Sequence, residues 1–233
     1  MGALEVREVV KTLVGAGAQR SSAVLRGVDL TVSRGECVGL KGATGTGKST
    51  LLRAIAGLLA PDAGEIVLDS VLLSDAKIRV PPAKRRIAMV FQNLGLWPHM
   101  TVQGHLNFVL AAEPLSPPQR KQRLDEICGA FVLNGLGDRY PAELSGGERH
   151  LLALARAFCA DVKLLLLDEP FTGLDGALKK RVLETLRAER TKRNLTTLLV
   201  THDEDEMRAL CQRVELLSEG RILKPVRNES THR

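Results

Sequence analysis

The sequence predicts an α/β protein with a mainly parallel sheet, and three observations carry this prediction. Residues 37–41 form an apolar, strand-like run that leads into a glycine-rich loop, and a helical pattern follows over residues 48–59. Residues 164–167 and 196–200 are two further apolar runs, and a helical pattern at residues 177–192 separates them. Strand–helix–strand alternation on this scale indicates right-handed crossovers between parallel strands.

The first part of the chain predicts an antiparallel β part. Residues 4–14 and 24–32 alternate between apolar and polar side chains as strands do, and a Gly/Ala/Ser-rich turn at residues 15–22 joins them. A Pro-Asp-Ala-Gly turn at residues 61–64 then leads to a short strand at residues 65–69. We therefore expect an N-terminal antiparallel β part beside the mainly parallel sheet.

The middle of the chain indicates a helical insertion. Residues 87–91 have the pattern of a buried strand that ends at Gln92. From residue 102 to about residue 158 the pattern is helical and is interrupted by prolines. We therefore expect an all-helical segment before strand patterns return, and a frayed end over residues 225–233.

The composition excludes several classes of protein. No apolar run in the 233 residues reaches the roughly 18 residues that span a membrane, and the start of the chain lacks the features of a signal peptide. The four cysteines, Cys37, Cys128, Cys159 and Cys211, lie far apart without a C-x-x-C pair, which favours free thiols in a reducing cytosol. The net charge of +6 comes from short, scattered clusters, and aromatic residues make up only 3% of the chain. We therefore expect no direct contact with nucleic acid by base stacking.

The glycine-rich loop is a candidate phosphate-binding site, because it fits the pattern G-x-x-x-x-G-K-[ST] between a strand and a helix. Its glycines let successive backbone N–H groups point inward around an anion, and the positive end of the helix dipole favours a polyphosphate. In that arrangement Lys48 reaches the β- and γ-phosphates, and the Ser49 hydroxyl binds Mg²⁺. The candidate residues are Gly42, Ala43, Thr44, Gly45, Thr46, Gly47, Lys48, Ser49 and Thr50.

Two adjacent carboxylates follow the apolar run at residues 164–167. A strand end near the phosphate loop is where a second Mg²⁺ contact belongs, and Asp168 fits that role. Glu169 would stand beside the γ-phosphate, where it can orient and polarise an attacking water. A solvated Asp-Glu turn capped by Pro170 is the alternative, but the phosphate loop in the same chain favours the functional interpretation.

A third stretch, Leu-Ser-Gly-Gly-Glu at residues 144–148, precedes another helical run. Ser145 can cap this helix, and Gly146 and Gly147 leave its first N–H groups open to an anion. Taken alone, this stretch is simply the start of a helix. Its meaning depends on the other motifs.

Together these motifs resemble the nucleotide-binding domain of ATP-binding cassette (ABC) transporters. GATGTGKST resembles the Walker A loop, LLLLDEP resembles Walker B with its catalytic glutamate, and LSGGE resembles the signature motif. Gln92 resembles the Q-loop glutamine, Asp175 lies in a sequence similar to the D-loop, and His202 in LLVTHD resembles the switch histidine. The motifs occur in family order over nearly the whole chain. Residues 81–102 are most similar to importer ATPases for oxyanions, iron, polyamines or sugars.

The resemblance implies the P-loop NTPase fold of the ABC ATPase type, as a single domain over residues 1–233. It divides the chain into a RecA-like core at about residues 1–101 and 159–224 and a helical subdomain at about residues 102–158. It also implies a Mg²⁺-dependent ATPase that pairs with a second ATPase subunit, identical or paralogous, around two ATP molecules. Each ATP would lie between the Walker A loop of one chain and residues 145–147 of the other.

The resemblance also assigns roles to single residues. Glu169 would be the catalytic base and His202 would contact the γ-phosphate, while Gln92 would reach the metal that Ser49 and Asp168 bind. Asp175 would contribute to the nucleotide interface between the two chains.

The partners follow from the same resemblance. Transmembrane permease subunits would contact the loop around Trp97 and so hold the chain at the cytoplasmic face of the membrane, and ordinary core packing of Trp97 is the alternative.

The contact with the nucleotide base is less well defined. Many members of the family stack adenine on an aromatic near the end of the first strand. Residues 13–19 offer no aromatic, so Leu13 or Val14 would supply only an apolar contact.

Several functions remain open at this stage. The leading hypothesis is the ATPase motor of an importer, and an exporter subunit is the first alternative. A non-transport ABC ATPase acting on nucleic acid or ribosomes is a second, although the segment between Gln92 and Ser145 shows no sustained heptads for a coiled coil. A catalytically inactive regulatory module is a third, against which the intact Lys48, Glu169 and His202 argue. The cargo is not predicted, because in this family other subunits select it.

Overall fold

The computed structural model describes residues 3–14, 21–174 and 176–223. Its strands are β1 (Leu4–Val14), β2 (Ser21–Val32), β3 (Cys37–Lys41), β4 (Ala63–Leu68), β5 (Val71–Ser74), β6 (Ile87–Val90), β7 (Leu164–Asp168), β8 (Thr196–Val200), β9 (Arg213–Ser218) and β10 (Arg221–Leu223). Its helices are α1 (Lys48–Ala56), α2 (Val102–Leu110), α3 (Pro117–Ala130), α4 (Gly146–Cys159), α5 (Gly176–Lys192) and α6 (Glu204–Leu210), with short 3₁₀ turns at Pro82–Lys84 and Pro141–Glu143. The segment 225–233, predicted to be frayed, and the candidate residue Asp175 lie outside the described residues.

A four-stranded antiparallel sheet with the order β2-β1-β4-β5 forms the N-terminal part of the molecule. The strand β1 pairs with β2 on one side and with β4 on the other, both antiparallel. Its register with β4 shifts between Arg7 and Val10, where Glu8 adopts a φ of 47°. A bulge of this kind bends the strand and increases its twist, so the long strand curves over the core. The predicted antiparallel β part is confirmed.

The second sheet has six strands in the order β10-β9-β3-β8-β7-β6. The neighbouring pairs from β9 to β6 are all parallel, and only the short edge strand β10 runs antiparallel, against β9. The carboxyl ends of parallel strands meet at one edge of a sheet. The ends of β3, β6, β7 and β8 therefore place the phosphate loop, Gln92, Asp168 and His202 along the same edge.

This second sheet is covered on both faces. Every residue of β7 and of β8 is buried, which is typical of parallel strands packed between two layers. Alternate side chains of β7 enter different cores: Leu165 and Leu167 pack with α2, α4 and α5, whereas Leu164 and Leu166 pack with α1 and the antiparallel sheet. Two hydrophobic cores thus hold the sheet edge and its site residues in place.

Between β6 and β7, the regular elements are the helices α2, α3 and α4 and one 3₁₀ turn. Phe131, at the end of α3, packs on Phe158 of α4 with ring centroids 5.3 Å apart, and both side chains are fully buried. The helical character expected for this segment is observed, while its division from the core as a subdomain stays a prediction. None of the helices in the described ranges is long and apolar enough to cross a bilayer.

Two details differ from the sequence expectation. The helix α1 ends at Ala56 and not at residue 59, because Gly57 adopts a left-handed φ of 82° and its N–H bonds back to carbonyls of the last turn. Four elements, β5, α6, β9 and β10, have no counterpart in the sequence expectation. All four are short, between three and seven residues, so their periodicity carries little signal.

Candidate functional site

A cleft of about 800 Å³ opens at the carboxyl edge of the parallel strands. It brings together residues from the phosphate loop, from the ends of β6 and β7 and from the segment after β8. The predicted site residues that line it are Thr44, Gly45, Gly47, Lys48, Ser49, Thr50, Gln92, Asp168, Glu169 and His202. The cleft is also lined by the apolar side chains of Leu13, Val24 and Val200. Sequence reasoning had considered Leu13 for the base but had missed Val24 and Val200, because apolar residues in strands carry no motif.

The phosphate loop is shaped by glycines that no other residue could replace without strain. Gly47, the N-cap of α1, has a φ of 104°, a conformation that residues with a Cβ atom rarely adopt. At Gly42 the limit is space, since a Cβ there would lie 2.2 Å from the carbonyl oxygen of Leu217. The helix α1 begins at Lys48 without a side-chain cap, so its first N–H groups remain available to an anion.

The ammonium group of Lys48 lies over the loop. It donates hydrogen bonds to the carbonyl oxygens of Gly42 at 2.7 Å and of Ala43 at 2.8 Å. Both acceptors are neutral, so these contacts position the charge without neutralising it. The arrangement holds a cation beside the open helix end, as binding of a polyphosphate requires.

Ser49 and Asp168 meet at the floor of the cleft. The Ser49 hydroxyl donates to Oδ1 of Asp168 at 3.1 Å, and Asp168 is only 4% exposed at the end of β7. Burial raises the pKa of the Asp168 carboxyl, although the hydrogen bond from Ser49 opposes this shift. A hydroxyl beside a buried carboxylate is the type of oxygen pair that suits Mg²⁺, and a cation there would favour the ionised carboxylate.

Glu169 and His202 stand side by side at the mouth of the cleft. Glu169 adopts a φ of 48°, its N–H donates to the carbonyl of Val200 at 2.9 Å, and its Oε2 accepts a hydrogen bond from Thr172 at 3.2 Å. The same Oε2 lies 3.5 Å from Nδ1 of His202. A left-handed conformation is unfavourable for glutamate, so the surrounding bonds must hold it. They keep the carboxylate in the cleft, next to the imidazole.

The backbone on both sides of His202 is held by a partly buried network. Thr201 donates to the carboxylate of Glu206, which is 4% exposed, and Asp203 caps α6 by accepting from its first N–H groups. Lys179 of α5 bridges the carboxylates of Asp203 and Glu206, and its ammonium holds the pKa of the Asp203 carboxyl below its ordinary value. Lys179 therefore fixes the segment that follows His202.

Replacing Lys179 with methionine is expected to lower kcat for ATP hydrolysis by up to about 10²-fold, because a displacement of His202 by 1 Å costs that much. The KM for ATP should change little, since Lys179 does not line the cleft. Steady-state kinetics would measure both quantities, and Lys179→Arg should restore turnover. The exposed neighbour Lys180, changed to methionine, is the matched control. An unchanged kcat in a folded Lys179→Met chain would exclude the positioning role.

The other predicted motif residues lie apart from this cleft. Ser145 is the N-cap of α4: its hydroxyl accepts from the N–H of Glu148 at 3.3 Å, and its own N–H donates to the Glu148 carboxylate at 2.7 Å. Ser145 and Gly146 are exposed, and the residues 145–147 are not among those that line the cleft. Gly147 is buried, and a Cβ there would lie 1.9 Å from Leu178, so α4 and α5 can approach closely only at a glycine. Within one chain, the structure does not bring residues 145–147 to the phosphate loop.

Trp97 lies half-buried at the surface of the helical segment. Its ring stacks on His105 with centroids 5.4 Å apart, and the guanidinium of Arg156 lies 5.1 Å from the ring centroid. The backbone N–H of Trp97 donates to Nε2 of His105 at 2.9 Å, and burial lowers the pKa of this histidine. Phe108 makes an edge-to-face contact with the Trp97 ring, with centroids 5.1 Å apart, and is 57% exposed. The loop therefore presents an aromatic surface, and the contacts of Trp97 with His105 and Arg156 hold it in place.

Comparison with known proteins decides the family. The model of the ABC transporter family matches residues 25–172, a range that includes the phosphate loop, residues 144–148 and the Asp168-Glu169 pair. The chain belongs to the ABC transporter family. The resemblance stated from the motifs is thereby confirmed, and so is the class of ATP-binding ATPases.

Curated relatives of this ABC protein include several import subunits. It is 42% identical over 197 residues to the probable sulfate/thiosulfate import ATP-binding protein CysA of Chlorella vulgaris, covering 84% of the chain and 82% of that protein. It is 40% identical to the protein of the same name from Synechocystis sp. and 39% identical to that from Methylococcus capsulatus. These two matches cover 85% and 94% of this chain but only 55% and 61% of the length of the two relatives.

Solved structures confirm the fold of ABC cassettes. The dimeric structure of MJ0796, a bacterial ABC transporter cassette, matches with a TM-score of 0.84 at 27% identity, over 95% of this chain and 97% of that one. A second dimeric structure of the same cassette, in a post-hydrolysis state bound to ADP and Pi, matches with a TM-score of 0.83 at 26% identity and the same coverage. The predicted fold class is therefore confirmed, whereas the roles of single site residues stay predictions.

Proposed function

We propose that the protein is the ATP-hydrolysing subunit of an ABC importer, with sulfate or thiosulfate as the class of cargo. The observation that carries this proposal is the cleft that joins Lys48, Asp168 and Glu169 in a chain related to import ATP-binding proteins. The cargo class rests on the names of those relatives. The remaining steps follow from the geometry of the cleft.

ATP binds with its β- and γ-phosphates in the phosphate loop. The open N–H groups of α1 and the ammonium of Lys48 offset the phosphate charge, and their fixed positions require little rearrangement on binding. Ser49, Asp168 and Gln92 hold Mg²⁺, which supplies charge stabilisation for the phosphate oxygens. Ser49 and Asp168 already lie within hydrogen-bond distance, whereas Gln92 lines the cleft and is exposed to it.

Hydrolysis then needs a water in line with the bond between the β- and γ-phosphates. Glu169 accepts a proton from this water while the water oxygen attacks the γ-phosphorus. ADP then departs with the bridging oxygen. Nδ1 of His202 lies 3.5 Å from the same carboxylate, which places the imidazole beside the base, where it contacts the γ-phosphate. The left-handed backbone of Glu169 supports this role, because it directs the carboxylate into the cleft.

A second chain completes the site in this proposal. Ser145, Gly146 and Gly147 of one protomer face the γ-phosphate that the other protomer binds, and Asp175 contributes to the same interface. The support is that Ser145 and Gly146 are exposed at the start of α4, away from the cleft of their own chain. ATP then bridges two chains, and loss of the γ-phosphate loosens the dimer.

Permease subunits contact the surface around Trp97 in this proposal, which places the chain at the cytoplasmic face of the membrane. The test compares free and assembled protein for Trp97→Ala. Hydrolysis of ATP by the free chain should persist and require Mg²⁺, whereas uptake of radiolabelled sulfate by the reconstituted importer should fall. Trp97→Phe, which keeps the stacking on His105, is the control for packing. Unfolding of Trp97→Ala would assign the residue to the core, and absence of Mg²⁺-dependent hydrolysis in the wild-type chain would refute the ATPase role.

The adenine base is expected to contact aliphatic side chains. Leu13, which is 38% exposed, and Val24 line the cleft together, and no described residue before Phe91 is aromatic. The chain should therefore bind ATP and GTP with similar affinity. Replacing Leu13 with tryptophan should tighten ATP binding by about 0.5–1.5 kcal/mol through stacking. Titration calorimetry with both nucleotides would measure this, and strong ATP selectivity of the unmodified chain would contradict it.

A further inference from the structure

Two thiols that the hydrolysis mechanism does not use lie against each other at the end of β3 that is remote from the phosphate loop. Cys37 begins β3, and Cys211 follows α6, with only Gln212 between it and β9. Their sulfur atoms are 3.7 Å apart, and both residues are free thiols. Cys37 is fully buried, whereas Cys211 is only partly buried. Cys211 is therefore the less buried member of the pair, and Cys37 is the more protected one.

The backbone around the pair is held by the pairing of β3 with β9. Gln212 donates its N–H to the carbonyl of Cys37 at 2.9 Å and accepts the N–H of Cys37 on its Oε1 at 2.6 Å. These two bonds tie the backbone of Cys37 to the residue that follows Cys211, and so hold the two cysteines close together. Forming the bond brings the sulfur atoms from 3.7 Å to about 2.05 Å.

A buried positive charge acts on both sulfur atoms. Arg190 of α5 is 6% exposed and donates to the carbonyl oxygens of Gly35 and Leu210, while its Nε has no hydrogen-bond partner among the described residues. A buried guanidinium bonded only to carbonyls favours an anion nearby. The hydrogen bond with Cys37 and the charge of Arg190 lower the pKa of the Cys211 thiol, and the same hydrogen bond raises the pKa of the Cys37 thiol. The less buried thiol is thus the one whose pKa is lowered, which favours its thiolate form.

We propose that Cys37 and Cys211 form a reversible redox pair that is oxidised by hydroperoxides and that slows ATP hydrolysis when it is a disulfide. The Cys211 thiolate attacks one oxygen of hydrogen peroxide, so that an S–O bond forms, the O–O bond breaks and hydroxide leaves. The Cys37 sulfur then attacks the sulfenic acid sulfur, so that the S–S bond forms and the oxygen leaves as water with the Cys37 proton. The two thiols are oxidised and one peroxide is reduced, and an added dithiol reverses the step.

The disulfide would connect two elements that lead to the nucleotide site, β3 and α6. The strand β3 leads directly into the phosphate loop, and α6 runs from the segment after His202 to Cys211 in only seven residues. Drawing the end of α6 towards β3 would therefore shift the segment that carries His202. This effect on turnover rests on the ATPase function proposed above, whereas formation of the disulfide does not.

The test oxidises the folded chain with hydrogen peroxide and maps its cysteines by mass spectrometry without reduction. The expected product links the peptides of Cys37 and Cys211, with a loss of two hydrogens, while Cys128 and Cys159 remain thiols. The kcat for ATP hydrolysis should fall by about 10–100-fold, as expected for a small displacement of a catalytic group, and dithiothreitol should restore it. Cys211→Ser should keep its turnover in peroxide, and Cys128→Ser should respond like the wild type.

The outcomes separate the two proposals. If Cys128 is oxidised before the pair, or if no link between Cys37 and Cys211 forms, the redox pair is refuted whatever the ATPase rate. If the link forms without a change in kcat, the regulatory role is wrong. If the reduced chain hydrolyses no ATP, the proposed function fails, and the mapped disulfide still decides the thiol chemistry.

Discussion

Replacing Glu169 with glutamine is expected to slow ATP hydrolysis by about 10²–10⁴-fold, the usual cost of removing a general base. The amide keeps the size of the side chain and can still accept the hydrogen bond from Thr172, so the strained turn after β7 should persist. Lys48, Ser49 and Asp168 are unchanged, so ATP should still bind. Single-turnover assays with labelled ATP would show retained binding and delayed release of phosphate.

The matched control for this variant is Glu184→Gln on the exposed face of α5, which removes the same charge away from the cleft. It should hydrolyse ATP like the unmodified chain. Because ATP persists in Glu169→Gln, this variant should also form a long-lived ATP-bound dimer, which light scattering would detect. Turnover close to that of the unmodified chain would exclude Glu169 as the base.

Replacing Ser145 with arginine is expected to abolish ATP-driven dimerisation and turnover, while ATP binding to the single chain is retained. Ser145 is exposed at the N-terminus of α4, so a bulky side chain there meets the facing protomer in the proposed dimer. The phosphate loop of the same chain is not in contact with it. Nucleotide binding by calorimetry, dimerisation by light scattering and the rate of hydrolysis would be measured on the same preparation.

The chain offers a matched control for the lost helix cap. Ser116 is the N-cap of α3, where its N–H and its hydroxyl both donate to Oε1 of Gln119, so Ser116→Arg likewise removes a serine from a helix N-terminus but outside the proposed interface. Loss of a serine cap typically costs about 1 kcal/mol, which is too little to unfold a stable domain. We expect Ser116→Arg to dimerise and hydrolyse normally. Normal dimerisation and hydrolysis by Ser145→Arg would refute the two-chain site.

Part of the candidate site could be predicted because its chemistry is local. The phosphate loop is specified within nine residues, where glycines permit the left-handed backbone and the following helix supplies its N–H groups. The Asp168-Glu169 pair could be placed near it because parallel strands end at a common edge. The long strands and helices were recognisable for a similar reason, since their periodicity extends over many residues.

Other features could not be predicted, because they depend on contacts between distant segments. The sequence indicates an apolar residue at Leu13 but not that Val24 and Val200 share its cleft. It shows Lys179 as one charge in a helical run, whereas its contact with Asp203 and Glu206 requires α5 and α6 to pack together. The sequence alone does not show with which residue a charged side chain forms an ion pair.

What the sequence by itself determined is the family, the fold class and the positions of the phosphate loop and the two carboxylates, because each is specified by a short run of residues with a fixed backbone requirement. What only the tertiary structure decided is which residues meet. The strand order places β9 beside β3, and so brings Cys211 to 3.7 Å from Cys37, although neither cysteine has a motif around it. The same packing exposes Ser145 and separates it from the cleft of its own chain. Strand order arises from the burial of all the elements together, so no local stretch of sequence contains it.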